Sequence, residues 1–233
     1  MTIDDEAVIW SAPRDEIAER LTTQPLVIVM HGRGSHEADL PALFPFLPEG
    51  IVFASLRAPL SGAPYGMGGW TWFPLEAAPD GSGSPAGADV GAAADAVLGW
   101  LDRTEALHGS PSAVAGLGFS QGGMMSIELM RSAPERFAAA VDLSGVSAIR
   151  TVAGDEVLAE RRPPLFWGRD AADPIIPVAG VERTAAFVPR HFTVTEKLYP
   201  GNAHSISSEE LVDVSAFLRT ALSLEPREAA PPA

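Results

Sequence analysis

The sequence predicts an α/β fold, a mainly parallel central sheet with helices on both faces, on three observations. Short continuous apolar runs recur along the chain, stretches with helical spacing lie between them, and glycine or serine closes the runs within a few residues. Such alternation requires right-handed crossovers and places ligand sites at the carboxyl ends of the strands.

Leu26 to Met30 follows Pro25 and is closed by His31-Gly32, the pattern of a buried strand entering a turn. Ile51 to Leu56, Val114 to Phe119, Ala138 to Leu143 and Pro164 to Trp167 repeat it, and Phe192 to Tyr199 alternates as a strand nearer the sheet edge does. Helical spacing runs through Glu37 to Phe46, Asp89 to Leu107, Gly123 to Arg131, Val178 to Phe187 and Glu209 to Leu222. Two segments break the rhythm. Ala58 to Gly87 is rich in Gly, Pro and Ser yet carries several aromatic residues, and Val146 to Pro163 is too short for a cap domain. One domain over residues 1–224 with a flexible tail at 225–233 is the expected organisation, and no internal repeat is present.

Composition narrows the function classes. A formal charge of -14 repels phosphate backbones and anionic headgroups, so nucleic acid is not an expected partner. Absence of cysteine removes disulfides, thiolate nucleophiles and thiolate metal sites. No apolar run has the length and flanks of a signal peptide or membrane span, so a cytoplasmic setting without stable membrane insertion is expected.

Gly118-Phe119-Ser120-Gln121-Gly122 matches G-x-S-x-G between a strand and a helix, where a serine at the tip of a sharp turn becomes an exposed nucleophile. Chance alone gives roughly 0.16 occurrences in a chain this rich in glycine, so the flanking elements carry the inference. A dinucleotide fingerprint starting at Gly116 fails, because Gln121 stands where its third glycine belongs.

The chain order nucleophile, acid, base excludes His31, His36 and His108 as the base. His191 opens a predicted strand, which leaves His204, in the loop before the last helix. Asp170 and Asp173 both follow the fifth apolar run; Pro174 stiffens the loop at Asp173 and favours it, but both can serve as the acid. Either could instead cap the helix that follows.

His31-Gly32-Arg33-Gly34 occupies the place of a second oxyanion donor, the backbone N–H of Arg33, beside that of Gln121. His31 reads as an organiser of this loop. Trp70, Trp72, Phe73 and Leu75 could line an apolar acyl pocket or simply pin a long loop to the core.

Together the His-Gly-x-Gly loop, Trp72-Phe73, Gly-Phe-Ser-Gln-Gly-Gly, Asp173-Pro174-Ile175-Ile176-Pro177 and His204-Ser205 resemble the carboxylesterase and phospholipase family that includes acyl-protein thioesterases. The resemblance spans nearly the whole chain. It implies a cap-free α/β-hydrolase fold acting on small-molecule esters or thioesters, with Ser120, Asp173 and His204 as triad and Arg33 and Gln121 as oxyanion donors. The spacer from Gly168 to Asp173 is longer than in many members, and Arg33 stands where an apolar residue is frequent. The expected mechanism needs no metal or organic cofactor, and a monomer or homodimer is expected. The rival reading is a non-catalytic binding protein on the same scaffold.

Overall fold

A computed structural model describes residues 1–77, 83–85 and 87–224. The expected tail at 225–233 and part of the segment from Ala58 to Gly87 lie outside these residues.

Seven strands form the main sheet: β1 (Ile9–Trp10), β2 (Leu26–Met30), β3 (Val52–Leu56), β4 (Val114–Phe119), β5 (Ala139–Leu143), β6 (Pro164–Arg169) and β7 (Thr193–Leu198). Their order is β1-β3-β2-β4-β5-β6-β7, parallel throughout except for β1, which pairs antiparallel with β3. Strands β2, β3 and β5 are buried at every residue, which is why their sequences are apolar without alternation. Only β7 is largely exposed, as its place at the sheet edge and its alternating sequence require.

Among the described residues six α-helices accompany the sheet: α1 (Ile17–Leu21), α2 (Gly87–His108), α3 (Gln121–Ser132), α4 (Gly154–Arg161), α5 (Val178–His191) and α6 (Ser208–Ala221). Helix α6 starts where Ser207 accepts a hydrogen bond from the Glu210 amide at 3.2 Å, a side-chain cap on an otherwise orphan donor. One apolar cluster packs under α2 and α3 around Trp72, Trp100 and Trp167; the other packs under α6 around Phe53, Phe166 and Leu218.

Two expectations are corrected, and further elements are added. The helix expected over Glu37 to Phe46 is a 3-10 helix at Leu40–Phe46, because Pro41 and Pro45 remove donors and crowd an α-helical turn. His191 ends α5 rather than opening a strand, its Nδ1 lying 2.8 Å from the Phe187 carbonyl oxygen. The excursion from Val146 to Pro163 contains α4. Strand β1 and helix α1 were not expected at all; two and five residues are too short to display a period.

Candidate active site

Strand β4 delivers the chain to Ser120, whose backbone sits at φ 56° and ψ −114° before α3 begins at Gln121. A non-glycine residue there is strained by about 1–3 kcal/mol and must be held by its surroundings. The Ser120 amide donates to the Leu143 carbonyl at 2.7 Å, and the Ser120 carbonyl accepts from the Met124 amide at 3.1 Å. A Cβ on Gly118 would strike the Gly122 carbonyl, and one on Gly122 would strike the Met30 carbonyl. Both flanking glycines are therefore steric requirements of the turn.

His204 comes from the loop between β7 and α6. Its Nε2 lies 2.9 Å from Ser120 Oγ, and its Nδ1 lies 2.6 Å from Asp173 Oδ2. A carboxylate only accepts, which assigns the proton to Nδ1 and leaves Nε2 free to accept the serine hydroxyl. The other Asp173 oxygen accepts from the amides of Ile175 and Ile176 at 2.8 and 3.2 Å, so the carboxylate cannot swing away. Phe119 packs its ring 4.9 Å from the imidazole.

Of the two candidate aspartates, Asp173 is the one that meets the imidazole. Asp170 instead accepts from Ala172 through Oδ1 and from Gly201 and Ala203 through Oδ2, each at 2.8 Å. These backbone donors hold its carboxyl below the usual carboxylate range.

Gly32 passes close enough that a Cβ there would lie 3.6 Å from Ser120 Cβ, so the loop that continues into Arg33 runs beside Ser120. The next residues are stitched down: Gly34 donates to the Trp70 carbonyl at 2.8 Å and Trp70 to the Ser35 carbonyl at 2.7 Å. His31 is fully buried, and burial lowers its pKa, keeping it neutral. Its Nε2 accepts the Ala58 amide at 3.1 Å, so Nδ1 carries the proton, 2.7 Å from the Gly32 carbonyl. The organiser expected from the sequence is what the contacts describe.

Gln121 contributes more than a backbone amide. Its side-chain oxygen lies 2.9 Å from the Trp72 amide and 3.0 Å from the Thr71 hydroxyl, while its nitrogen donates to the Phe73 carbonyl at 2.8 Å. The segment that carries the aromatics is thus clamped to the first residue of α3. No pattern in the sequence separates this side-chain role from an ordinary helix-start glutamine.

The acyl-pocket expectation for Trp72 and Phe73 is corrected. Both are completely buried in the larger core, and the Trp72 indole donates to the His31 carbonyl at 2.9 Å. They support the loop after β2 from beneath and present no surface to a ligand. Trp70 and Leu75 are half-buried and pack against the same core, with the Arg57 guanidinium 4.8 Å over the Trp70 ring.

Against the Ser120 turn lies Asp142, fully buried on β5, with Oδ1 accepting from Gly145 at 2.8 Å. Burial pushes its carboxyl up to about 8. An aspartate inside a buried apolar strand is an anomaly visible in the sequence itself.

A sequence model of the family described as Phospholipase/Carboxylesterase matches residues 16–222. Among curated relatives, acyl-protein thioesterase 1 of Kluyveromyces lactis is 27% identical over 214 residues, 85% of this chain and 92% of the relative. A probable carboxylesterase of Oryza sativa subsp. japonica is 27% identical over 155 residues, 65% of this chain and 58% of the relative. The solved structure of esterase PE8 is 28% identical and superposes with a TM-score of 0.69, covering 86% of this chain and 94% of that one. The Bacillus cereus carboxylesterase, 16% identical, shares the fold with a TM-score of 0.74 over 92% and 93% of the two chains.

Proposed function

The chain belongs to the phospholipase/carboxylesterase family of α/β-hydrolases, and we propose that it hydrolyses carboxylic esters or thioesters of small to medium acyl groups through an acyl-serine. The observation that carries this reading is the unbroken relay from Ser120 Oγ to His204 Nε2 at 2.9 Å and from His204 Nδ1 to Asp173 Oδ2 at 2.6 Å.

In the proposed cycle, His204 Nε2 takes the hydroxyl proton as Ser120 Oγ attacks the acyl carbon, and Asp173 stabilises the imidazolium that forms. The backbone amides of Arg33 and Gln121 receive the charge that develops on the carbonyl oxygen. The imidazolium then gives its proton to the departing alkoxide or thiolate. Water, deprotonated by His204, releases the acid and restores the serine. Every step uses groups of this chain and water.

Acyl-protein thioesterase is the second reading, favoured by the Kluyveromyces lactis relative that this chain matches over 92% of its length. A panel of esters and thioesters of increasing acyl length separates the two by kcat/KM. The proposal includes a cytoplasmic setting and a monomer or homodimer, which cell fractionation and light scattering test. Among the described residues no helix is long and apolar enough to cross a membrane.

The decisive experiment is labelling with a fluorophosphonate. One adduct at Ser120 is expected, with Ser120→Ala unlabelled and its kcat reduced by about 10⁶. An unlabelled wild-type protein would return the assignment to a binding protein on a hydrolase scaffold.

A further inference from the structure

We propose that Asp170 is a positioning residue for ester hydrolysis: its carboxylate fills a nest of backbone amides in the loop that carries His204, and so sets the reach of the imidazole to Ser120. The inference rests on the Ser120, His204 and Asp173 reading above and concerns how that geometry is maintained.

The loop after β7 contains two left-handed residues, Gly201 at φ 91° and Ala203 at φ 51°, separated by Asn202. Backbone that alternates in this way turns successive N–H groups toward one side and makes a concavity suited to an anion. Here the anion is built in. The Gly201 and Ala203 amides both donate to the same Asp170 oxygen at 2.8 Å. No Lys, Arg or His among the described residues forms an ion pair with Asp170, so its charge is met by amides.

Glycine adopts a left-handed φ freely, but an alanine does so only where its surroundings dictate it. Ala203 immediately precedes His204, so its φ helps set the direction from which the imidazole leaves the chain. The bond from the Ala203 amide to Asp170 is the contact that fixes this residue. The loop's other ties engage Asn202: its amide donates to the Tyr199 carbonyl at 3.2 Å, its Nδ2 to Glu210 Oε2 at 3.3 Å, and its carbonyl accepts from Ser205 Oγ at 2.7 Å.

The second Asp170 oxygen accepts from Ala172, inside the turn that ends at Asp173. One carboxylate therefore braces the residue before the acid and the residue before the base. It touches neither reacting group, which distinguishes it from a reserve triad acid. Because the amide donors hold its carboxyl below the usual range, the brace stays charged at neutral pH.

The test is steady-state kinetics on a soluble 4-nitrophenyl ester with wild type, Asp170→Asn and Asp170→Ala, each checked for folding by thermal melting. A misplacement of about 1 Å costs on the order of a hundredfold. Asp170→Ala should therefore lose roughly tenfold to a hundredfold in kcat with KM nearly unchanged. Asp170→Asn keeps one acceptor but no charge and should fall between the two. Sodium formate, compared with sodium chloride at equal ionic strength, should raise kcat of Asp170→Ala by refilling the nest and leave wild type unaffected.

A folded Asp170→Ala protein with wild-type kcat, or one whose loss lies wholly in KM, overturns the inference. If Asp170→Ala does not fold, wild-type kcat in Asp170→Asn overturns it. Fluorophosphonate labelling keeps the two readings apart: an unlabelled wild type defeats the hydrolase assignment, whereas a labelled wild type with unaffected variants defeats only this role of Asp170.

Discussion

Ser120 stands between two regions held by different physics. On the side of the loop after β2, where we propose the oxyanion is received, a fully buried neutral imidazole, a buried indole and a glutamine amide share uncharged hydrogen bonds over apolar packing. On the base side, two carboxylates, Asp170 and Asp173, hold surface loops through backbone amides, and the imidazole between Ser120 and Asp173 keeps 17% of its side chain exposed. The contrast teaches that damage to the first region should register in folding and damage to the second in turnover. Buried uncharged bonds are lost together with the core, while a loop brace can fail in an intact fold.

Asp173→Asn probes the base side most severely. It should lower kcat by about 10⁴, by favouring the wrong imidazole tautomer, while the melting temperature stays close to wild type. A large fall in melting temperature would break the comparison.

Asp142, packed against the Ser120 turn, tests whether a buried carboxyl limits stability there. Its carboxyl ionises near pH 4 in an unfolded chain and near 8 in the folded one. Within that window the unfolded state alone gains from ionisation, so the protein should lose stability as pH rises from about 4 to 8. Asp142→Asn resembles the protonated form and can still accept from Gly145. Denaturation curves should coincide near pH 4 and separate by up to about 5 kcal/mol at pH 8, with the variant more stable. Equal stability at both pH values would show that the burial costs nothing.

Phe73→Ala sharpens the oxyanion side. Removing a completely buried phenyl ring should cost about 4 kcal/mol of folding stability by cavity formation, read by urea titration. Fluorophosphonate labelling of the folded fraction should persist. A protein of unchanged stability that instead lost its preference among acyl lengths would restore the pocket role that its burial now denies.

Legibility from sequence followed the same divide. The strands β2 to β6 announced themselves because burial on both faces demands unbroken apolar runs, and the Ser120 turn because its glycines are sterically enforced. Chain order left His191 and His204; the loop before the last helix favoured His204, although the strand expected to begin at His191 is in fact the end of α5. Choosing between Asp170 and Asp173 was beyond spacing alone, since both lie in one loop and their roles depend on where the Gly201 and Ala203 amides turn. Trp72 and Phe73 were ambiguous for a chemical reason: the residue types that line an acyl pocket also fill a core. Pro41 and Pro45 outweigh the helical spacing of Leu40–Phe46 and make it a 3-10 helix, a signal present in the sequence.

Both borders of the main sheet are defended against sheet growth. At one border β1 offers only two residues for pairing; at the other, Glu196 and the chain's sole lysine, Lys197, project from β7 and are engaged by Arg169 and Asp213. A second copy adding a strand to β7 would have to accommodate those charges beside its own backbone. Self-association by continuing the sheet is thereby disfavoured.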